Sequence, residues 1–300
     1  MKKRSLLFAC FIIVLWGSVF SQKQEYIVFT ASQDFLSRIY VLNMDGSVHT
    51  YHEYMNYRWM DMTVIDNEVY VAEAFMPGIY KVDIFTGYLT LIMHDFSLYY
   101  FYGLAWDGTY FYVKEWSMNR YDISGNSYGS ASFAHSVYGA TFKDGYYWMI
   151  GNENLVRCYD FSGWPNLVEI PGNQFFPPSA DCRGLWYDGE NFWTAESVEN
   201  QLGKIYKFDQ QGQVVQQWWA PAFRGWGAVK VSFPSPVLPG DANCDGLINI
   251  FDVITIVNKI LGFEPELFCF ENADLNGDGI INLLDVIAVT NLIIQSDSGF

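Results

Sequence analysis

Positive charge is scarce in this chain. Seventeen lysines and arginines face 33 carboxylates, a net charge of −16, and apart from Lys2, Lys3 and Arg4 no basic cluster occurs. Nucleic acid attracts proteins through clustered Lys and Arg, so that partner is excluded. Such a charge instead favours solubility and tolerance of divalent cations. Long apolar runs are as rare. The one that stands out follows the basic run in "MKKRSLLFACFIIVLWGSVFSQ", and its length of about 16 residues is short for a bilayer span. Small residues Val19 and Ser21 stand at the −3 and −1 positions of a cut, so residues 1–21 read as a secretory signal peptide. Cleavage removes three cations and no carboxylate, taking the net charge from −16 to −19. The expected product is secreted or held at a cell surface, with no membrane span after processing.

Cysteine is sparse too, with five in 300 residues, and Cys10 falls in the leader. Cys158, Cys182, Cys244 and Cys269 remain, an even number that permits disulfides in an exported protein. Several catalytic signatures are missing: there is no G-x-S-x-G, no P-loop and no zincin motif. The four histidines (His49, His52, His94 and His135) show no metal-ligand spacing.

What is present begins near the C-terminus with "DANCDGLINIFD" (241–252). A twelve-residue calcium loop presents oxygen ligands from positions 1, 3, 5, 7, 9 and 12, with Gly at position 6. Those positions hold Asp241, Asn243, Asp245, the Leu247 carbonyl, Asn249 and Asp252, with Gly246 at the turn. The pattern recurs 33 residues later in "DLNGDGIINLLD" (274–285), as Asp274, Asn276, Asp278, the Ile280 carbonyl, Asn282 and Asp285, with Gly279 at the turn. The register continues into "IFDVITIVNKIL" (250–261) and "LLDVIAVTNLII" (283–294). Two matched loops, each running into an apolar helix, predict two bound Ca²⁺ ions. Cys244 occupies a non-ligand position of the first loop and Cys269 precedes the second. A Cys244–Cys269 bridge would tie together two loops that must pack side by side.

Both loops close on Asp rather than the bidentate Glu usual at position 12. No amphipathic helix enters the first, because "FPSPVLPG" (233–240) is a proline-rich linker. Loop–helix repeats of this kind, over 239–296, resemble dockerin domains. The resemblance implies calcium-ordered helices that bind a cohesin-like module on a scaffold or surface protein, with recognition through loop positions 10 and 11. Here those are Ile250, Phe251, Leu283 and Leu284. They are apolar where cellulosomal dockerins often carry polar residues, which points away from a cellulosome partner. The small all-α module is assigned to 241–296, with a tail at 297–300.

The remainder, 22–232, is mostly β and repetitive. "GLAWDG" (103–108), "GATFKDG" (139–145) and "GLWYDG" (184–189) are first strands, each followed by a turn and a β-rich second strand. Third strands end at Asn43, Asp83, Asp122, Asp160 and Asp209, spaced 40, 39, 38 and 49 apart. Four short strands per unit of about 40 residues is the period of a β-propeller blade. The repeats start at a second strand and end with "WGAVKVS" (226–232), an orphan first strand that would close a five-bladed ring. Six blades is the alternative, if the 49-residue interval hides irregular strands.

Aromatics make up 19% of the residues. Tyr70, Trp106, Tyr112, Trp148 and Trp193 recur at equivalent strand positions and read as wedge packing between blades. Tyr99, Tyr100, Phe101, Tyr102, Trp218 and Trp219 do not recur and are candidates for stacking on a sugar. Aligning second strands puts Glu73, Glu115 and Glu196 in one column. They are candidate acid–base carboxylates if they converge on a central mouth, or otherwise caps for loop N–H groups. The blades resemble secreted NHL-type propellers, which implies a binding scaffold. "VYVAEAFMPGIYKVDIFTGYL" (69–89) is also similar to a blade of plant-type glutaminyl cyclotransferases, which implies a catalytic role for Glu73.

The expected function is a secreted, dockerin-borne propeller that binds a glycan or protein, in a polysaccharide-degrading context. A propeller enzyme (glycoside hydrolase, lyase or glutaminyl cyclotransferase) and a non-catalytic surface spacer are the alternatives.

Overall fold

The computed structural model describes residues 23–33, 36–98, 100–234, 238–263, 265 and 268–297. The expected leader and Tyr99 therefore lie outside the described residues. The chain divides into two compact units, one spanning Glu25–Phe233 and a second that takes in Pro234 onward.

The first unit is a β-propeller of five four-stranded antiparallel sheets. One blade contains β1 (Lys23–Gln33), β2 (Leu36–Asn43) and β3 (Val48–Met55). The second runs β4 (Trp59–Ile65), β5 (Glu68–Glu73), β6 (Gly78–Val82) and β7 (Leu89–His94). The third holds β8 (Tyr102–Trp106), β9 (Tyr110–Lys114), β10 (Ser117–Asp122) and β11 (Ser127–Ser132). The fourth is β12 (Gly139–Lys143), β13 (Tyr146–Ile150), β14 (Val156–Asp160) and a two-residue β15 (Val168–Glu169). The fifth comprises β16 (Cys182–Tyr187), β17 (Phe192–Glu196), β18 (Lys204–Phe208) and β19 (Val214–Trp219). The last strand, β20 (Gly225–Pro234), joins the first sheet in the order β20-β1-β2-β3. The orphan strand thus closes the ring, and the described residues hold five blades, not six. The long interval before Asp209 contains the shortened β15 and a loop whose Phe175 forms a bridge with Val156.

Local chemistry explains the repeat. In four of the five blades the third strand leads into an Asp that caps the following turn, including Asp160, which accepts from Ser162 N. Asp83 Oδ1 accepts from Phe85 N and Thr86 N, Asp122 Oδ1 from Ser124 N and Asn126 N, and Asp209 Oδ1 from Gln211 N and Gln213 N. A short carboxylate reaching its own backbone two residues on is the Asx turn, so the periodic Asp marks a periodic turn. Between β4 and β5, Asp66 and Asn67 both take positive φ (50° and 63°), the geometry that matches strand twist in a two-residue hairpin.

The recurrent aromatics fill the wedges. Tyr70, Tyr112, Trp148 and Trp193 are all buried. Tyr112 meets Phe142 of the next blade at 5.1 Å between ring centres, Trp148 meets Phe192 at 5.6 Å, and Tyr70 meets Phe111 at 5.4 Å. These rings cross blade boundaries, which is why an aromatic recurs at this position in four of the five blades, with Val28 in its place in the first.

The second unit packs α1 (Ile250–Ile260) against α3 (Leu283–Asp297), with a four-residue α2 (Phe270–Ala273) between them that the sequence pattern did not announce. Its core is small: Ala242, Ile256, Ala273 and Val289 are the fully enclosed members. Asn249 caps α1 in a reciprocal box with Asp252, satisfying two of the helix's unpaired N–H groups. The Cys244–Cys269 disulfide is formed, with Cα atoms 5.9 Å apart. Cys158 and Cys182 are free buried thiols, and burial pushes the first up to about 11 and the second to about 12.

Candidate functional site

In the second unit the two acidic loops wrap around their own carboxylates. Asp241 Oδ1 accepts from Asp245 N and Oδ2 from Gly246 N, while Asp252 accepts from Asn243 N and Asn249 N. The second loop repeats the set: Asp274 takes Asp278 N and Gly279 N, and Asp285 takes Asn276 N and Asn282 N. Asn243 and Asn276 each donate from Nδ2 to the Asp two residues on, at 2.9 and 3.0 Å. Asn282 Nδ2 lies 3.1 Å from the Ile280 carbonyl. Asp241, Asp252 and Asp285 are buried, and none has a cationic partner among the described residues. Burial, followed by the neighbouring Asp252 and Asp245 charges, raises the Asp241 carboxyl while the loop amides lower it.

Clustered hard oxygen donors with no counter-charge fit a Ca²⁺ ion. Among the described residues no three carboxylate, imidazole or thiolate groups gather as a metal cluster. The loop sets are mixed, with Asn and main-chain oxygens filling the positions between. Ile250, Phe251, Leu283 and Leu284 are 58–66% exposed. Leu247 with Ile280, Ile254 with Ile287, and Leu261 with Ile294 are also exposed and 33 apart, so each half of the duplication carries the same apolar face.

In the propeller, Glu73 ends β5 fully buried and accepts from Arg58 N and Phe75 N, both at 2.9 Å, and from Met76 N. Glu196 ends β17 and accepts from Lys204 N at 2.7 Å and from the Tyr206 hydroxyl at 3.0 Å. The Glu115 backbone bonds to Ser117 across the turn after β9. The two carboxylates thus bridge backbone inside single blades. None of the three lines the cavity at the propeller axis.

That cavity holds about 760 Å³ and is walled by Ser32, Arg58, Phe75, Tyr138, Arg183, Ser197, Glu199, Arg224 and Trp226. Seven arginines occur in the whole chain and three of them are here. The Arg58 guanidinium sits 5.9 Å from the Phe75 ring centre and 5.5 Å from that of Trp226. Arg183 lies 4.3 Å over Tyr138 and donates to the Cys182 carbonyl at 2.8 Å. Arg224 pairs with Glu199 at 3.1 Å. Tyr102 borders the same group: burial pushes its hydroxyl up while the Arg58 charge pulls it down.

Behind the cavity the inner strands β4, β8, β12, β16 and β20 surround the axis. Aligned on their turns, they carry Gly103, Gly139, Gly184 and Gly227 in one column, and Asp61 in the fifth place. A Cβ on Gly139 would lie 2.1 Å from the Gly184 carbonyl carbon, and one on Gly184 2.7 Å from Gly227 Cα. The strands are too close for more than one side chain. Asp61 supplies it: its Oδ2 accepts from Leu104 N at 2.8 Å and Ala140 N at 2.9 Å, in two other blades. Burial holds the Asp61 carboxyl well above the usual carboxylate range, against the pull of the Leu104, Ala140, Met62 and Leu185 amides.

Of the stacking candidates, Phe101 and Trp218 are core, the latter stacked on Trp193. Tyr100 and Trp219 are exposed. The arginines and Asp61 were missed by sequence reasoning. The available signal was that Arg58, Arg183 and Arg224 stand one or three residues ahead of the axial column.

Fold and loops together define a calcium-type docking module that follows a propeller. Residues 239–294 match the dockerin type I domain family, so the chain carries a dockerin type I domain after a five-bladed β-propeller. Domains of that family bind calcium and pair with cohesin modules. No curated protein matches the chain. Among solved structures, glutaminyl cyclase from Myxococcus xanthus is similar at 10% identity and a TM-score of 0.47, over 55% of this chain and 72% of that one. TolB from Acinetobacter baumannii is similar at 11% identity and a TM-score of 0.46, over 69% and 66%. A Bacteroides caccae protein of unknown function is similar at 9% identity and a TM-score of 0.43, over 70% and 99%. No helix among the described residues is long and apolar enough to cross a membrane.

Proposed function

We propose that this is an exported protein whose dockerin, ordered by two Ca²⁺ ions, docks on a cohesin-like partner and thereby displays the propeller as a ligand-binding module in polysaccharide breakdown. The observation that carries the docking is the duplicated exposed apolar face, repeated at an offset of 33 beside the two acidic loops. Contiguous exposed apolar surface of that kind marks a protein interface. Asp241, Asn243, Asp245, Asn249 and Asp252, with the Leu247 carbonyl, would hold one ion. Asp274, Asn276, Asp278, Asn282 and Asp285, with the Ile280 carbonyl, would hold the other. Calcium supplies the positive charge that these clustered oxygens lack. Immobilised cohesins of several types should retain the full chain in Ca²⁺ and release it in EGTA. Asp241→Ala combined with Asp274→Ala, or Ile250→Lys combined with Leu283→Lys, should abolish retention. Retention unchanged in EGTA would sink the reading.

The propeller is assigned binding rather than catalysis, because Glu73 and Glu196 are committed to backbone and hydroxyl donors within their own blades. Glycosidase, lyase or glutaminyl cyclisation activity that disappears in Glu73→Gln would reverse that assignment.

A further inference from the structure

We infer that the cavity at the propeller axis binds a saccharide bearing carboxylates, an acidic sugar of the uronate type, with Arg58 and Arg183 as the groups that take its carboxylates. This deepens the ligand-binding reading above and rests on it.

The first ground is charge. The chain is strongly acidic, yet three of its seven arginines face one cavity. Of the other described arginines, Arg38 pairs with Glu53 at 2.7 Å and Arg157 with Glu169 at 2.6 Å and with Glu153. Arg120, also without a carboxylate partner among the described residues, lies over the Tyr110 and Trp164 rings, outside this cavity. Arg58 and Arg183 have no carboxylate partner among the described residues, whereas Arg224 already holds Glu199. A guanidinium is a rigid planar fork of donors that matches a carboxylate. Two such forks without an anion, in one concave site, leave a geometric and electrostatic demand that an anionic ligand fills.

The second ground is the frame. Each of the two guanidiniums is stacked on rings of the cavity wall, Arg58 on Phe75 and Trp226 and Arg183 on Tyr138. Stacking holds the fork in place, so less side-chain freedom is lost when a ligand arrives. Trp226 adds an indole N–H that has no acceptor among the described residues, a donor suited to a hydroxyl or carboxylate oxygen. Aromatic faces beside hydrogen-bond donors suit a ring with C–H faces and peripheral hydroxyls. The volume of about 760 Å³ lies within the range of small-ligand pockets. The axial floor is closed by Asp61 and the glycine column, so a ligand enters from the mouth and does not thread the ring.

The test uses the full chain and follows tryptophan fluorescence and calorimetry with tetragalacturonate and with a glucuronate-containing tetrasaccharide. Methyl-esterified tetragalacturonate and an Asp/Glu-rich peptide serve as comparisons. Binding of an acidic tetrasaccharide, weakened by salt and absent for the ester, is expected. Arg58→Gln and Arg183→Gln should each weaken it by about tenfold or more, as the loss of a charged hydrogen-bonding group implies. Arg58→Lys and Arg183→Lys, which keep the charge without the fork, should recover only part of the affinity, and Arg38→Gln should change nothing. Thermal melting of each variant separates lost binding from lost folding, with the Lys variants carrying the test if a Gln variant fails to fold. Equal binding of the ester, indifference to both arginine changes, binding of the acidic peptide alone, or no uptake of either uronate probe would overturn the inference. Cohesin capture measured on the same variants should be unchanged, so failure here is distinct from failure of the docking reading.

Discussion

The two compact units both bury carboxylates, and they do it in opposite ways. In the propeller each buried acid stands alone: Asp61 at the axis and Glu73 at the end of β5 are each met by main-chain N–H groups. In the dockerin the buried acids share a loop with further carboxylates: Asp241 and Asp252 are buried in the loop that also carries exposed Asp245, and Asp285 is buried in the loop that also carries Asp274 and Asp278. Amide dipoles offset the burial of a single charge, but they do not cancel the repulsion of several. The surroundings differ as well. The propeller encloses its acids within five aromatic-rich clusters, whereas the dockerin has one core of four fully enclosed residues. A lone acid in a large core can be held by the fold itself, and a group of acids in a small one calls for a cation.

The strongest way to break this comparison is to open the ring. A chain ending at residue 224 lacks β20, leaving β1 with an unpaired inner edge. The aromatic wedges are shared between blades, so losing one interface should unravel the unit as a whole, with no cooperative thermal transition by circular dichroism. A sharp transition retained in that truncation would mean that the blades are independently stable.

Next in size is the axial acid. Asp61→Ala orphans the Leu104 and Ala140 amides, each of which costs about 1–3 kcal/mol when buried without a partner. Chemical denaturation should therefore show a loss of about 2–6 kcal/mol. There is also a pH signature. Because burial raises the folded-state pKa of Asp61, the native state keeps a proton that the unfolded chain releases above the ordinary Asp value of about 3.9. Its contribution is fully present below that value and is lost as pH rises toward the folded pKa. Relative to Asp61→Asn, the parent should lose stability as pH rises from about 4. Parallel stability curves for the two would show that the carboxyl is not raised.

Much of this was legible in the sequence. The blade number followed from the spacing of the Asx-turn acids and from the orphan strand at 226–232, both local signals that repeat. The dockerin was legible because its two acidic loops and their helices repeat at a fixed chain spacing of 33. The axial site was not, for a physical reason: Asp61, Arg58, Arg183 and Arg224 come from different blades, and only closure of the ring brings them together. Recurrence drew attention to Glu73, Glu115 and Glu196, whereas the axial side chains are those that break the repeat.

Two predictions bear on the smaller unit. The Cys244–Cys269 bridge spans 25 residues, so Cys244→Ser with Cys269→Ser should cost about 3 kcal/mol on the loop-entropy account. Removing calcium should cost about 2.7 kcal/mol per bound ion relative to an excess one hundred times the dissociation constant. Both losses should appear as melting of helix in the dockerin, with the propeller transition unmoved. An isolated 239–296 fragment that is equally helical in EGTA would refute the requirement for a cation.

The smallest expected effect also gives the finest discrimination between the two ways of burying an acid. Glu73→Gln keeps the shape and one carbonyl oxygen, which can still accept from Arg58 N and Phe75 N. Its new amide N–H groups then face Met76 N, a donor against a donor, where the carboxylate had accepted. The cost should be about 1–2 kcal/mol, below that of Asp61→Ala because two of the three acceptor contacts survive. It should be the same in Ca²⁺ and in EGTA, since Glu73 serves only backbone. Asp252→Asn is the matched change in the dockerin: there the lost charge belongs to a proposed calcium ligand, so its cost should shrink in EGTA, where the ion would be gone. Paired denaturation curves of the two variants, with and without chelator, check both. A chelator-dependent cost for Glu73→Gln would place a cation in the propeller and collapse the distinction.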